Sequence, residues 1–135
     1  MIEYRTGNNL NLDAVIELYV ESGLGARRPV GERDRMQQMI DHANLVITAW
    51  DGEKLIGIAR SVTDFSYATY LSDLAVHRAY QRQGIGKELM RRTQQASLNA
   101  SVILLAAPAA REYYGHVGFQ SHPSAWILTP EDKIV

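Results

Sequence analysis

The sequence predicts an α/β fold in which helices pack on one mixed β-sheet. Helical and strand periodicities alternate along the chain, a glycine-rich turn links an apolar strand to a helix, and a later all-apolar run is typical of a strand buried on both faces. At 135 residues with 46% hydrophobic residues, the chain has the size of one ordinary domain. We therefore predict a single domain over residues 1–135.

The first third of the chain predicts two helices after an N-terminal strand. Apolar residues recur with helical period behind an asparagine-rich start, and Gly23 supplies a natural helix end. These apolar residues are Leu12, Val15, Ile16, Leu18 and Tyr19. Met36, Met39 and Ile40 indicate a second, shorter helix. Residues 22–31 form the longest irregular segment, which we predict to be a surface loop.

Three segments rich in β-formers follow, at residues 45–50, 55–63 and 68–76. Asp51-Gly52 lies between the first two and is a hairpin signal, because glycine adopts positive φ at little cost. These segments predict an antiparallel meander of three strands.

The last third of the chain alternates between helix and strand. Residues 84–97 predict a helix with one apolar face, which covers the sheet. Residues 102–106 predict a buried strand parallel to the strand at residues 68–76. The remaining predicted elements are a short helix at residues 109–116 and closing strands at residues 119–121 and 125–128. The predicted order is β-α-α-β-β-β-α-β-α-β-β.

Charge and composition exclude several function classes. The formal net charge is −1 with basic residues widely spread, which predicts binding neither to nucleic acid nor to an anionic membrane. Cysteine is absent, which excludes thiolate metal ligands and a cysteine nucleophile. The four histidines lack metal-ligand spacing, so we predict no metal. No window is apolar over the length of a bilayer, and we predict a cytoplasmic protein.

The most informative segment joins an apolar strand to a basic turn that contains two glycines, and then to a helix. Gly84 and Gly86 let the backbone turn tightly, so that several N–H groups point at one spot at the positive end of the helix. This arrangement predicts a phosphate or pyrophosphate site. A dinucleotide fingerprint is excluded because Leu89 stands at the third glycine position, and a Walker loop is excluded because Glu88 follows Lys87.

Two separated signatures resemble those of the GNAT superfamily of acyl-CoA-dependent N-acetyltransferases. The first is the motif Gln-x-x-Gly-x-Gly at residues 81–86, behind a strand that ends at Val76; in that superfamily this turn holds the coenzyme A pyrophosphate. The second is the pair Tyr113-Tyr114, followed after three residues by Gly118-Phe119. The resemblance implies a small, single-domain, bacterial-type member with a GNAT-like mixed sheet, central strands splayed around the coenzyme, and acetyl-CoA as co-substrate.

By position, the resemblance implies coenzyme contacts in two segments and one separate residue. The backbone groups of Leu74, Ala75 and Val76 are expected to bind the pantetheine arm. The residues expected at the pyrophosphate are Gln81, Arg82, Gln83, Gly84, Ile85, Gly86 and Lys87. The candidates for the 3′-phosphate are Arg82, Lys87 and Arg111, which are equally suited to be solvated surface charges.

The resemblance also implies two catalytic roles. The backbone N–H of Val76 is expected to polarise the thioester carbonyl, as an oxyanion-hole donor does. Tyr114 is expected to protonate the departing thiolate, because a tyrosine is protonated at neutral pH; the alternative is a core aromatic with a bonded hydroxyl. Tyr113 is expected in the core.

The general base remains open, because an acceptor amine is normally an ammonium and must lose a proton before attack. Asp73, Tyr70 or an ordered water are the candidates, and several relatives carry a glutamate where Tyr70 stands. A regular strand places Asp73 on the face opposite Leu74 and Val76, and a bulge changes that alternation. Ala107 stands where many relatives carry an asparagine that contacts the coenzyme arm.

The resemblance places the acceptor pocket at residues 23–31 and 63–67. There Arg27 and Arg28 are suited to bind a carboxylate, and Asp64 is suited to pair with a cation. The alternative is that both segments are plain turns with no role in binding.

The sequence thus predicts an N-acyltransferase that moves an acetyl group from acetyl-CoA to a primary amine of a small molecule or peptide, by direct attack in a ternary complex. Without cysteine, a thiol acyl-enzyme is disfavoured. The alternative is a catalytically inactive acyl-CoA-binding sensor or assembly module. We also predict a homodimer through the C-terminal strands, with Trp126 and Ile127 as contacts or, alternatively, as core residues.

Overall fold

The computed structural model describes all 135 residues, which divide into two compact units at residues 1–105 and 106–135. The first unit contains one five-stranded sheet in the order β1-β2-β3-β4-β5. Its strands are β1 (Ile2–Thr6), β2 (Leu45–Asp51), β3 (Lys54–Thr63), β4 (Ala68–Val76) and β5 (Ser101–Ile103). Strands β1 to β4 are antiparallel and β5 is parallel to β4, which confirms the predicted mixed sheet and the meander.

The first unit also contains helices α1 (Leu12–Ser22), α2 (Arg33–Asp41) and α3 (Ile85–Ala96). The ends of α1 follow the predicted signals: the Asn11 side chain accepts a hydrogen bond from the Ala14 N–H at 3.0 Å, and Gly23 ends the helix with φ 91°. Helices α1 and α2 share a core with the sheet. Its buried residues include Val15, Leu18, Tyr19, Met36, Ile40, Ile58 and Ala75.

Helix α3 packs against β2 and β3 at a point where the sheet carries a glycine. A Cβ at Gly57 would lie 3.1 Å from Leu89 Cδ1, 3.2 Å from Ala49 Cβ and 3.3 Å from Ile85 Cγ2. These distances are tighter than ordinary van der Waals contact, so glycine lets the helix approach the sheet closely. Ile85, one of the contacting residues, is the first residue of α3.

Replacing Gly57 with valine is expected to destabilise the fold by about 1–3 kcal/mol, because the added atoms overpack the contact between α3 and the sheet. Urea unfolding measures the loss. The matched control is Gly31→Val, since a Cβ at the exposed Gly31 meets nothing within 4 Å. Equal stability losses in the two variants would contradict this account of the contact.

The second unit, residues 106–135, contains a 3₁₀ turn (Pro108–Ala110) and the short helix α4 (Tyr113–His116). The predicted closing strands at residues 119–121 and 125–128 are wrong, because neither segment pairs with another strand. Apolar β-formers make a strand only where a ladder partner exists, and here Trp126 is 94% exposed. The predicted strand at residues 102–106 is shorter and ends at Ile103. No helix in either unit has the length and apolar character needed to cross a membrane.

Candidate functional site

Strand β4 carries an extra residue relative to its neighbour β3. Arg60 lies opposite Asp73, but the next residue of β3, Ser61, lies opposite Leu71. Ser72 is therefore the additional residue of a β-bulge. Beyond the bulge, Asp73 and Ala75 are buried while Leu74 and Val76 are half-buried. Asp73 therefore lies on the face opposite Leu74 and Val76, as predicted for a regular strand.

Beyond the bulge, Val76 directs its backbone groups away from β3. Antiparallel ladders alternate between pairs that exchange hydrogen bonds and pairs that do not. The His77 N–H donates to the Ile56 carbonyl oxygen at 2.8 Å, so His77 and Ile56 form a hydrogen-bonded pair. The next pair along the ladder is Val76 opposite Gly57. The pair of Val76 and Gly57 is therefore the kind that exchanges no hydrogen bonds, and the N–H and C=O of Val76 point to the other edge of β4.

That other edge of β4 has no partner strand within the first unit beyond Tyr70, because β5 pairs only with Ala68–Tyr70. By the same alternation, Leu74 also presents its N–H and C=O to this edge. Ala75 faces β3 and its side chain is buried, which removes it from the residues suited to the pantetheine arm. The carbonyl oxygen of Val76 accepts a hydrogen bond from Gln81 Nε2 at 2.9 Å. The Val76 N–H is left as a donor at an open strand edge.

The turn after β4 is anchored to two neighbouring elements. A 3₁₀ turn (Arg78–Tyr80) begins at His77, whose Nδ1 accepts a hydrogen bond from the Ala79 N–H. Arg78 Nε donates to the carbonyl oxygen of Glu21 at the end of α1 at 2.9 Å. The Tyr80 hydroxyl donates to the Asp51 carboxylate at the end of β2. These contacts attach the turn to α1 and β2 beside the open edge of β4.

Helix α3 begins without a side-chain cap. Its N-cap residue is Gly84, in the left-handed region with φ 81°, and the first intrahelical bond runs from the Glu88 N–H to the Gly84 carbonyl oxygen at 3.0 Å. The N–H groups of Ile85, Gly86 and Lys87 therefore have no partner within the helix. Three unsatisfied donors at the positive end of a twelve-residue helix form a site for an anion.

The side chains around this helix start leave the site accessible. Gln81, Arg82, Gln83 and Gly84 are exposed, and Arg82 adopts φ 65°. The side chain of Ile85 is buried, so only its backbone can contact a ligand. The basic side chains Arg82 and Lys87 form no ion pair and no side-chain hydrogen bond. Their charges are available to a bound anion.

The carboxylate of Asp73 is buried and fully engaged. Its Oδ2 accepts hydrogen bonds from the Tyr19 hydroxyl and from Arg60 Nε, and its Oδ1 accepts one from Arg28 Nε, each at 2.6 Å. Burial by itself raises the pKa of Asp73, but Arg60, Tyr19 and Arg28 outweigh burial and hold the pKa below its usual range. A carboxylate with these partners is a weak base and is closed to solvent.

Tyr70, the other candidate base, lies on β4 between Val62 of β3 and Ile103 of β5. Residues directly opposite each other share a face of the sheet, and these three side chains are each 40–51% exposed. Tyr70 is thus accessible, in contrast to Asp73.

Two other predicted acceptor-side residues, Arg28 and Asp64, are occupied within the fold. Oδ1 of Asp64 accepts hydrogen bonds from the backbone N–H groups of Tyr67, Ser66 and Ala68, which lower the pKa of Asp64. The Asp64 side chain therefore shapes the turn between β3 and β4. Arg28 pairs with Asp73, while Arg27 is exposed and its side chain makes no hydrogen bond.

In the second unit, Tyr114 is half-buried and stacks edge-to-face with two aromatic rings. The ring centroids of Tyr113 and Phe119 lie 5.4 Å and 5.6 Å from that of Tyr114, and the Phe119 N–H donates to the Tyr114 carbonyl oxygen at 2.9 Å. Burial raises the pKa of Tyr114. The expectation that Tyr113 is the core residue is wrong, because Tyr113 is 42% exposed. Arg111, also in this unit, is exposed.

Sequence reasoning missed Tyr19 and Arg60, the buried partners of Asp73. A usable signal exists for Arg60, because an arginine that directly follows the apolar run of residues 55–59 inside a predicted strand must find a counter-charge if it is buried. Tyr19 gave no such signal, since its apolar neighbours account for its burial. No group of three or more histidine, aspartate or glutamate side chains is arranged to hold a metal ion.

Comparison with known proteins gives consistent matches. The curated "Uncharacterized N-acetyltransferase ycf52-like" of Prochlorococcus marinus is 29% identical, over 80% of this chain and 62% of its own length. "GCN5-related N-acetyltransferase 2, chloroplastic" of Arabidopsis thaliana is 33% identical, over 54% of this chain and 31% of its own length. The chain thus spans less than two thirds of each of these relatives.

Solved structures match over nearly the whole chain. A GNAT family acetyltransferase from Streptococcus pneumoniae is 26% identical with a TM-score of 0.77, covering 95% of this chain and 98% of that one. Aminoglycoside N-acetyltransferase AAC(6′)-Iy in complex with CoA has the same fold at 15% identity, with a TM-score of 0.73 and coverage of 97% and 95%. The family model described as "Acetyltransferase (GNAT) domain" matches residues 17–126. The resemblance predicted from the two sequence signatures is confirmed, and the chain belongs to the GNAT acetyltransferase family.

Proposed function

We propose that this protein is an N-acyltransferase that moves an acetyl group from acetyl-CoA to a primary amine by direct attack in a ternary complex. The observation that carries the proposal is the uncapped start of α3 beside the open edge of β4. The first offers N–H donors to a pyrophosphate, and the second offers backbone groups to an extended arm. We also propose that residues 1–135 form one N-acetyltransferase domain.

The residues present fit coenzyme A. The N–H groups of Ile85, Gly86 and Lys87 suit a pyrophosphate, because they lack partners and no side chain competes for them. Arg82 and Lys87 add free positive charge next to these donors, which suits the 3′-phosphate. Arg111 is a further candidate for that phosphate. Gln81 supports the same site indirectly, since its side chain holds the Val76 carbonyl.

Bound acetyl-CoA supplies an acetyl thioester, whose carbonyl oxygen gains negative charge during attack by an amine. The Val76 N–H, which has no ladder partner, is proposed to donate a hydrogen bond to that oxygen. Leu74 N–H and C=O are suited to bind the pantetheine arm as an added strand would. Tyr114 is assigned to protonate the thiolate, because burial raises its pKa and keeps the hydroxyl protonated at neutral pH.

Proton removal from the acceptor is assigned to Tyr70 or to an ordered water. Asp73 is not used as the base, because its carboxylate is buried, has a lowered pKa and accepts hydrogen bonds from four side chains, those of Tyr19, Arg28, Arg60 and Ser72. The acceptor is proposed to be a primary amine of a small molecule or peptide. A homodimer and a cytoplasmic location stay predictions; the exposure of Trp126 and Ile127 suits a contact surface.

A second candidate is a catalytically inactive module that binds acyl-CoA. Two observations favour it: Asp73 is unsuited to act as a base, and Ala107 replaces the asparagine expected at the coenzyme arm. Such a module would keep the coenzyme site and lack turnover.

The release of free thiol from acetyl-CoA distinguishes the two candidates. The purified chain is incubated with acetyl-CoA and one of five probes: putrescine, tyramine, glycine, kanamycin or a lysine-containing peptide. Release that depends on one of these amines supports the transferase. Binding of acetyl-CoA without amine-dependent release favours the module, and absence of binding contradicts both.

A substitution of the glycine at the start of α3 tests the proposed pyrophosphate site. Gly84→Ala is expected to weaken acetyl-CoA binding by about tenfold or more, because a Cβ at φ 81° strains the turn that aims the donors. Calorimetric titration measures the affinity. The matched control is Gly52→Ala, since Gly52 has φ 60°, lies in the hairpin between β2 and β3, and likewise has nothing within 4 Å of a Cβ. If both variants bind acetyl-CoA as tightly as the parent, the turn is not the pyrophosphate site.

A further inference from the structure

The buried cluster around Asp73 joins four elements of the first unit. Asp73 lies on β4, Arg60 on β3 and Tyr19 on α1, while Arg28 belongs to the loop between α1 and α2, residues 23–31. The Asp73 side chain has no exposed surface, and the Arg60 and Arg28 side chains are 10% and 23% exposed. Buried charges of this kind are retained only when they are paired, so the cluster constrains all four elements.

Arg28 binds the bulge of β4 as well as Asp73. Its Nη2 donates to the carbonyl oxygen of Ser72 at 2.8 Å, and its Nη1 donates to the carbonyl oxygen of Arg27 at 2.8 Å. Ser72 is the additional residue of the bulge, and such a residue lacks a ladder partner for its backbone. Arg28 supplies that partner. The Ser72 hydroxyl in turn accepts a hydrogen bond from Arg60 Nη2 at 2.9 Å.

The loop itself has few other connections to the sheet. Its backbone hydrogen bonds are local, such as Arg28 N–H to the Gly25 carbonyl oxygen. Leu24 and Val30 pack against the core, but Arg28 provides the only side-chain hydrogen bonds from residues 23–31 to a strand. One guanidinium group therefore makes all the side-chain hydrogen bonds between this loop and β4.

Asp73 lies three residues before Val76, the proposed donor to the thioester carbonyl, which is about 10 Å along a strand. We propose that Arg28, held by Asp73, is a positioning residue that fixes the loop of residues 23–31 beside the place where the acceptor amine meets the thioester. The inference rests on the proposed function for the identity of the reaction. It assigns Asp73 a role that acts through Arg28 and that removes no proton.

Arg28→Lys tests the role, because lysine keeps the charge but cannot bind Asp73 and Ser72 together with a planar fork. Arg35→Lys is the matched control, since Arg35 lies on α2, outside the residues proposed for coenzyme and acceptor, and its side chain is 59% exposed. Hydrogen–deuterium exchange measures the protection of residues 24–31. Calorimetry gives the Kd for acetyl-CoA, and steady-state assays give kcat and KM for the amine that produces most thiol release.

Arg28→Lys is expected to speed exchange in residues 24–31 and to raise the amine KM by about tenfold or more, while the Kd for acetyl-CoA stays within about twofold. Arg35→Lys is expected to change none of these. Unchanged exchange overturns the anchoring role, whatever the activity. Faster exchange with an unchanged amine KM overturns the role in acceptor placement. If the parent protein releases no thiol with any amine, the proposed function and the role in acceptor placement both fail, and the exchange comparison still decides whether Arg28 anchors the loop.

Discussion

Tyr114→Phe is expected to lower kcat for amine-dependent thiol release by about 10²–10⁴-fold, the contribution typical of a positioned general acid. The Kd for acetyl-CoA is expected to stay nearly unchanged, because the substitution removes one hydroxyl and keeps the ring that contacts Tyr113 and Phe119. Burial raises the pKa of Tyr114 above its ordinary value of about 10. The acid form is therefore fully present at neutral and moderately alkaline pH.

Tyr113→Phe is the control for this experiment, since Tyr113 is the adjacent and more exposed tyrosine. Its kcat is expected to remain within about twofold of the parent value. Equal losses of kcat and of acetyl-CoA affinity in Tyr114→Phe would reassign Tyr114 to binding or folding.

Asp73→Asn is expected to lower the free energy of unfolding by about 3–5 kcal/mol at pH 7, because it leaves Arg60 and Arg28 without their buried counter-charge. Asp13→Asn is the control, since the Asp13–Arg33 pair is 73% and 59% exposed and such pairs contribute about 0–1 kcal/mol. Urea unfolding of both variants measures the difference. A loss no larger than that of the control would contradict a stabilising role for the cluster.

The pH dependence of the Asp73→Asn effect follows from the lowered pKa of Asp73. A carboxyl whose pKa is lower in the folded state stabilises the fold fully above its unfolded pKa of about 3.9, and this contribution is lost as the pH falls through the folded pKa. The stability gap between the parent and Asp73→Asn is therefore expected to be complete at pH 6–7. The gap is expected to shrink below about pH 4. A gap independent of pH would mean that the asparagine acts through packing alone.

Local sequence signals predicted the fold well where a single segment determines its own structure. Asn11 and Gly23 mark the ends of α1 by capping, and Gly52 adopts the positive φ of a two-residue hairpin turn. The prediction of the closing strands was wrong for the opposite reason. Residues 125–128 have strand-like composition, but a strand exists only if another segment of the chain pairs with it.

In the candidate site, too, features set by one local segment were predictable and features set by distant residues were not. The turn of residues 81–87 was predictable, because its glycines and its place between a strand and a helix are local features. The environment of Asp73 was not predictable, because its partners Tyr19, Arg28 and Arg60 lie 54, 45 and 13 residues away in sequence. That Ala75 directs its backbone groups toward β3 was not predictable either, because ladder alternation is set by the register with β3.

We propose that the start of α3 and the open edge of β4 bind acetyl-CoA. Calorimetric titration of acetyl-CoA into the purified protein tests it most directly. We expect one site per chain with a Kd on the order of micromolar. Absence of any binding heat at a protein concentration of about 0.1 mM would contradict it.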